Sequence, residues 1–196
     1  TLYAHVGHQS VYDSFVLGLG GQLVRHEVHA RLAATRGVVH VKGAQRLAGQ
    51  QVGDITSVIT HAASDCTSRQ TVRNVLDGHA RGVFQGKVLV ERIAQKTDGY
   101  QMNQALLLSP EAEIDAKPEL EIYADDVRCS HGATVGALDD DQLFYLRSRG
   151  IPEQEARQML IDAFLDEAIA LVEDATAQTF CRAVMAARFA GKGESA

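Results

Sequence analysis

From residue 1 to about residue 137 this chain runs strand after strand, and no convincing helix interrupts the run. In the stretch Val24 to Leu32, the residues Val24, His26, Val28, Ala30 and Leu32 share one parity, and Arg25, Glu27, His29 and Arg31 share the other. That is the period of two of a half-buried strand. Gly37 to Gly43 reads as a short strand between glycines, and Ile55 to His61 is rich in β-branched residues. Phe84, Gly86, Val88 and Val90 alternate with Gln85, Lys87 and Leu89, and Leu120, Ile122 and Ala124 alternate with Glu121 and Tyr123. Asp77-Gly78 and Asp98-Gly99 are turn signals between runs. A βαβ sheet needs crossover helices, so that class is disfavoured. A sandwich, a barrel or a β-solenoid remains. No sharp repeat stands out, and pattern alone leaves sandwich and solenoid open.

The character changes abruptly near residue 138, and 138–190 read as helix. Asp139, Asp140 and Asp141 stand where a helix dipole favours anions, with Leu143, Phe144 and Leu146 as the apolar side and Gly150 as the stop. A second helix opens at Pro152. One face of it is traced by Ala156, Met159, Leu160, Ala163, Phe164, Ala168 and Leu171. Ile161, Leu165 and Ile169 lie beside that face, which gives more apolar positions than one stripe needs. Packing within a three-helix bundle would account for the excess, and so would a docking face for another protein. A third helix over roughly 174–190 carries Phe180, Val184 and Phe189, and the tail from Gly191 to Ala196 reads as frayed.

Composition removes several functions. The net charge is −6 and no Lys/Arg run forms, so there is no basic stripe for nucleic acid. No stretch approaches the roughly 20 apolar residues of a membrane span. Three cysteines, Cys66, Cys129 and Cys181, make no disulfide framework and no CxxC pair, which fits a reducing, cytoplasmic setting. The chain begins at Thr1, so part of the natural protein is expected to precede it. A phosphate-binding loop at Gly86-Lys87 fails because Arg81 replaces the leading glycine and Val88 the hydroxyl residue. The run Gly18-Leu19-Gly20-Gly21 fails as a dinucleotide fingerprint at Leu23.

Metal-like spacings need a test of geometry. His5-x-x-His8 and His26-x-x-His29 suit a helix, but on a strand they point to opposite faces. Cys129-Ser130-His131 is different: residues two apart on a strand share a face, roughly 7 Å apart. A thiolate and an imidazole so placed can hold iron or a cluster if other ligands come from elsewhere. Val127, Ala133 and Val135 share their parity, so a buried, inert cysteine explains the pattern as well.

The run Lys117 to Gly136 (KPELEIYADDVRCSHGATVG) resembles the SufB/SufD family, on its SufD side. Asp77 to Val90 (DGHARGVFQGKVLV), Gln95 to Asp98, Asn103 with Leu106 to Ser109, and Leu143 to Ile151 (LFYLRSRGI) resemble further segments of the same family. The likeness extends over about residues 14–170. His79 departs from it, standing where the family has Arg or Lys. The resemblance implies a mainly β chain: a right-handed parallel β-helix core over 1–137, N-terminally incomplete, and a small helical domain over 138–196. It implies a non-enzymatic scaffold for iron–sulfur cluster assembly. Such a subunit pairs through its β-helix with a SufB-type subunit or with itself, and docks a SufC-type ATPase through its helices. Carried onto this sequence, Cys129 and His131 become candidate ligands for iron or a transient cluster at the subunit interface, none held tightly by this chain alone. Phe144, Met159 and Phe164 become candidate partner-binding residues. The rivals are a β-helix enzyme acting on carbohydrate, which sits poorly with no Trp and 6% aromatic residues, and a purely structural subunit without metal.

Overall fold

A computed structural model describes residues 1–189. The side chain of Phe189 and residues 190–196, read above as helix end and frayed tail, lie outside the described residues. Ten strands come first: β1 (Leu2–Val6), β2 (Val11–Gly18), β3 (Leu23–Leu32), β4 (Val38–Leu47), β5 (Val52–His61), β6 (Thr67–Leu76), β7 (Arg81–Val90), β8 (Thr97–Leu107), β9 (Glu113–Ile122) and β10 (Val127–Gly136). Helices α1 (Asp140–Ser148), α2 (Glu153–Ile169) and α3 (Ala175–Phe189) follow.

The strands coil as a parallel β-solenoid. Odd strands stack into one sheet in the order β1-β3-β5-β7-β9, and even strands into a second in the order β10-β8-β6-β4-β2. Every pairing is parallel. Val28 pairs with Ser57, and Val58 with Lys87, so a turn there takes 29 residues. No crossover helix is needed because the chain reaches the next parallel strand by passing through the opposite sheet.

The parity read from the sequence is the parity of burial. Val28, Ala30 and Leu32 point inward with Ile55, Ile59, Phe84, Val88 and Val90, and all are buried. The interior also holds polar rows. On the even sheet the Gln45 Nε2 amide donates to Asn74 Oδ1 at 3.0 Å, and Asn74 Nδ2 donates to Asn103 Oδ1 at 2.8 Å. Such amide ladders follow from parallel, near in-register stacking of like residues. Gly86 is required by close approach: a Cβ there would fall 2.6 Å from Phe84 Cζ and 3.0 Å from Gln70 Oε1. Pro118, its register partner, sits on β9, an edge strand that tolerates a missing N–H donor.

The helices begin four residues after β10. Asp139 caps α1 by accepting from the Gln142 N–H at 2.9 Å, and Gly150 turns the chain at φ +88°. The structure corrects the reading of α2 as one member of a three-helix bundle. Its buried residues Ile161, Leu165, Ala168 and Ile169 pack on Ala44 and Val75 of the even sheet, with Phe15, Leu17 and Leu106 around them and Met185 of α3 above. The two groups of apolar residues on α2 thus have different fates. The extra stripe is buried throughout, whereas the first-traced face is split: Ala156 and Ala168 are buried, and Met159, Ala163 and Leu171 are exposed. Polar clamps hold this docking. Arg73 donates to the Phe164 carbonyl at 3.2 Å, pairs with Glu167 and lies over the Phe164 ring. The Lys42 ammonium, almost buried, bridges Asp13 at 2.7 Å and the Leu171 carbonyl at 2.6 Å. None of the helices is long and apolar enough to cross a membrane among the described residues.

Candidate functional site at the open end of the solenoid

Strands β9 and β10 form the last turn, and each has a neighbour on one side only. Residues that would be core in the middle of the stack are therefore half covered here. Ile122 is 38% exposed and Val135 55%, although both lie on the inward parity. Tyr123, just past β9, is 61% exposed.

Cys129 and His131 lie on this final strand. Their register partners are Gly99 and Gln101 on β8. Cys129 faces inward: a Cβ built on Gly99 would be 3.3 Å from its Sγ and 3.6 Å from Ser68 Oγ. Glycine at 99 thus leaves room between the thiol and the Ser68 hydroxyl one turn below. Ser68 in turn bonds the His61 ring at 2.8 Å, and the Thr97 hydroxyl approaches the other ring nitrogen at 3.3 Å. Val127 and Cys129 also pack against Val88, Val90, Ala94 and Ala124. Both sequence readings of Cys129 therefore meet in one place: it is partly core, yet the strand that carries it is open on its far edge. His131 shares its parity and is exposed.

Burial pushes the Cys129 thiol up, against a smaller lowering by the hydrogen bond from the Gly99 backbone. The resting group is a thiol, and binding a cation would release its proton. Cys66 is different: fully buried, with its thiol near the Ala34 and Ser64 carbonyls, it is packing. His26 and His29 point opposite ways as expected. His26 is inward, with burial lowering its basicity, and His29 stacks outside on Tyr3 with ring centres 5.0 Å apart.

The site offers a cation two ligands. The three-donor group found among the described residues lies elsewhere, at Asp13, His40 and Glu173, with ligand atoms within 4.8 Å of one another. Lys42 already supplies a positive charge to Asp13 there, so that group reads as an ionic clamp on the α2–α3 loop. At Cys129 and His131 any remaining ligands must come from outside this chain.

The three proposed docking residues differ in setting. Phe144 is 73% exposed and lines a shallow groove of about 530 Å³ with Arg147, Ile151 and Pro152 between α1 and α2. Met159 is exposed on α2, whereas Phe164 is partly buried under Arg73. Sequence reasoning missed Ser68, Gly99 and Gln101 beneath the site. The signal was present as two columns, Ser68–Gly99–Cys129 and Gln70–Gln101–His131, at steps of about one solenoid turn.

Residues 1–164 match the profile described as "SUF system FeS cluster assembly, SufBD core domain". The iron-sulfur cluster assembly protein SufD of Escherichia coli is 43% identical over 156 residues, covering 80% of this chain and 37% of that protein. The SufBD family protein slr0076 of Synechocystis is 40% identical over 182 residues, covering 93% of this chain and 40% of that protein. Protein ABCI7 of Arabidopsis chloroplasts is 38% identical over 163 residues, 82% of this chain and 34% of its own length. The chain spans well under half the length of these relatives.

Proposed function

The chain belongs to the SufB/SufD family, and from that premise we propose that it is a non-enzymatic scaffold subunit for iron–sulfur cluster assembly. In this reading Cys129 and His131 present iron or a nascent cluster, as cargo, at a face completed by a second subunit. That subunit is a SufB-type chain or another copy. The observation that carries the reading is the inward Cys129 and its same-parity neighbour His131 on the edge strand β10, with no three-donor group at that place among the described residues. The exposed apolar residues beside them, Ile122 and Val135, suit a partner surface. The exposed groove at Phe144, with Met159 on α2, suits docking of a SufC-type ATPase.

The carbohydrate-enzyme alternative loses ground on the outer face of the odd sheet. Its carboxylates are paired with cations: Asp115 with Arg81, Glu121 with Lys87, Glu119 with Lys117. Salt-bridged carboxylates make poor general acids.

The test is anaerobic loading of the assembled complex with iron and sulfide. Cys129→Ala and His131→Ala complexes are expected to retain less than half the wild-type iron, with unchanged subunit composition. Loading should increase with pH, because the Cys129 thiol is raised and must deprotonate. Full iron in both variants would leave only the structural subunit. In parallel, Phe144→Asp and Met159→Asp should abolish capture of the ATPase at unchanged helical circular dichroism. Retained capture would remove the docking assignment.

A further inference from the structure

The core beneath the open end contains an amide whose two polar atoms are both buried and without a partner. Gln101 is completely buried, and neither Oε1 nor Nε2 makes a hydrogen bond. Buried amides in a folded protein are ordinarily satisfied, so an orphan of this kind calls for a partner. On the same sheet the row Gln45–Asn74–Asn103 is linked by bonds of 3.0 and 2.8 Å, with only Asn103 Nδ2 left over at its end, which shows what the stacking permits.

Gln101 has two register neighbours. On one side is Gln70, whose Oε1 accepts from the Ser57 hydroxyl at 2.5 Å and whose Nε2 is also unpartnered. On the other side is His131. Cys129, packed over Gly99, fixes the inward parity of β10, and His131 shares that parity. Adjacent strands lie about 4.8 Å apart, so an imidazole on β10 and an amide on β8 in one column are within reach, directly or through one water. On the opposite sheet the column of Ser57 continues as Gly86 and Pro118, so beyond Ser57 these register positions carry no polar side chain.

We infer that Gln101 is a positioning residue for His131: its Oε1 accepts the N–H of one ring nitrogen and so turns the other nitrogen's lone pair toward the cargo. Its Nε2 then reaches back toward Gln70, which Ser57 anchors. A metal-binding histidine commonly depends on such an acceptor for its tautomer and ring orientation. The inference rests on the reading of His131 as a ligand for iron, but its first readout does not.

The test uses the full chain. Imidazole ¹⁵N spectra of the metal-free protein, with the His131 signals assigned by their loss in His131→Ala, report its tautomer. One dominant neutral tautomer is expected in the wild type. Gln101→Leu should give a mixture, and iron affinity of the assembled complex should fall about tenfold to a hundredfold. Gln101→Glu, an acceptor of the same length, should keep the single tautomer. Gln101→Asn, which withdraws the amide by one methylene, serves if the leucine variant fails to fold, and should also mix the tautomers. An unchanged His131 tautomer in a folded Gln101→Leu or Gln101→Asn protein overturns the inference. If the tautomer shifts while His131→Ala leaves iron affinity intact, the positioning role stands and the metal role of His131 falls.

Discussion

His61 shows what a single residue contributes when the interior is polar by design. It is completely buried between Ser68 and Thr97, and burial lowers its pKa to about 4. The unfolded chain would take up a proton near the ordinary value of 6.5, so below that pH the unfolded state binds more protons than the folded one. Stability is therefore highest above pH 6.5 and declines as the pH falls toward 4. From the shift the loss is on the order of 3 kcal/mol. Urea titrations at pH 7 and pH 4 should show that decline, and His61→Asn should flatten it. An equal decline in the variant would assign it to other groups. At this scale the sequence was only partly readable. The parity of Cys129 and His131 gave their shared face, because strand geometry depends on neighbours in the chain. The Gly99 gap and the orphaned Gln101 depend on what lies one turn away.

Among the elements, β6 and α2 carry the most information. In β6 the residues Ser68, Gln70, Val72, Asn74 and Leu76 all point inward and all are buried. Three of them, Ser68, Gln70 and Asn74, bond to other inward-facing polar side chains. Asn74 is the middle rung: its Oδ1 accepts from Gln45, and its Nδ2 donates to Asn103 Oδ1 and, more distantly, to the Gln104 carbonyl. Asn74→Leu would orphan Gln45 Nε2 and Asn103 Oδ1 together, and the expected destabilisation is about 2–4 kcal/mol. Chemical denaturation would measure it, and a loss under 1 kcal/mol would mean the ladder contributes little. The helical element was legible in its caps, Asp139 and Gly150, which are local signals. Its buried face was not. Met159, Leu160 and Phe164 satisfy helical periodicity as well as Ile161, Leu165 and Ile169 do, and only the even sheet beneath α2 decides between them.

For the molecule as a whole, sequence pattern narrowed the choice to sandwich or solenoid and stopped there. The repeat is real but thinly written: Leu47, Gly49 and Gly53 recur as Leu76, Gly78 and Gly82 at 29 residues, and the step of 29 holds from β3 to β7 but not for the turns before and after. Side-chain identity between turns is not required, since the backbone ladder is indifferent to it. The resemblance in Lys117 to Gly136 supplied what the period did not. The open turn then carries the largest-scale prediction. Ile122→Lys and Val135→Lys alter residues already in contact with solvent, so the unfolding free energy of the single chain should stay within about 0.5 kcal/mol of wild type. If the proposed pairing uses this open turn, sedimentation should nevertheless show the assembly dissociating into single chains. A pair that survives both changes would place the contact on another surface.

The ammonium clamp of Lys42 on the α2–α3 loop, together with Arg73 on α2, ties α2 to two neighbouring rungs of the stack, β4 and β6. A lever fixed that way has little play. If the proposed ATPase docks at Phe144, a push on the helices would reach the even sheet through α2, and the last rung of that sheet bears the thiol and the imidazole.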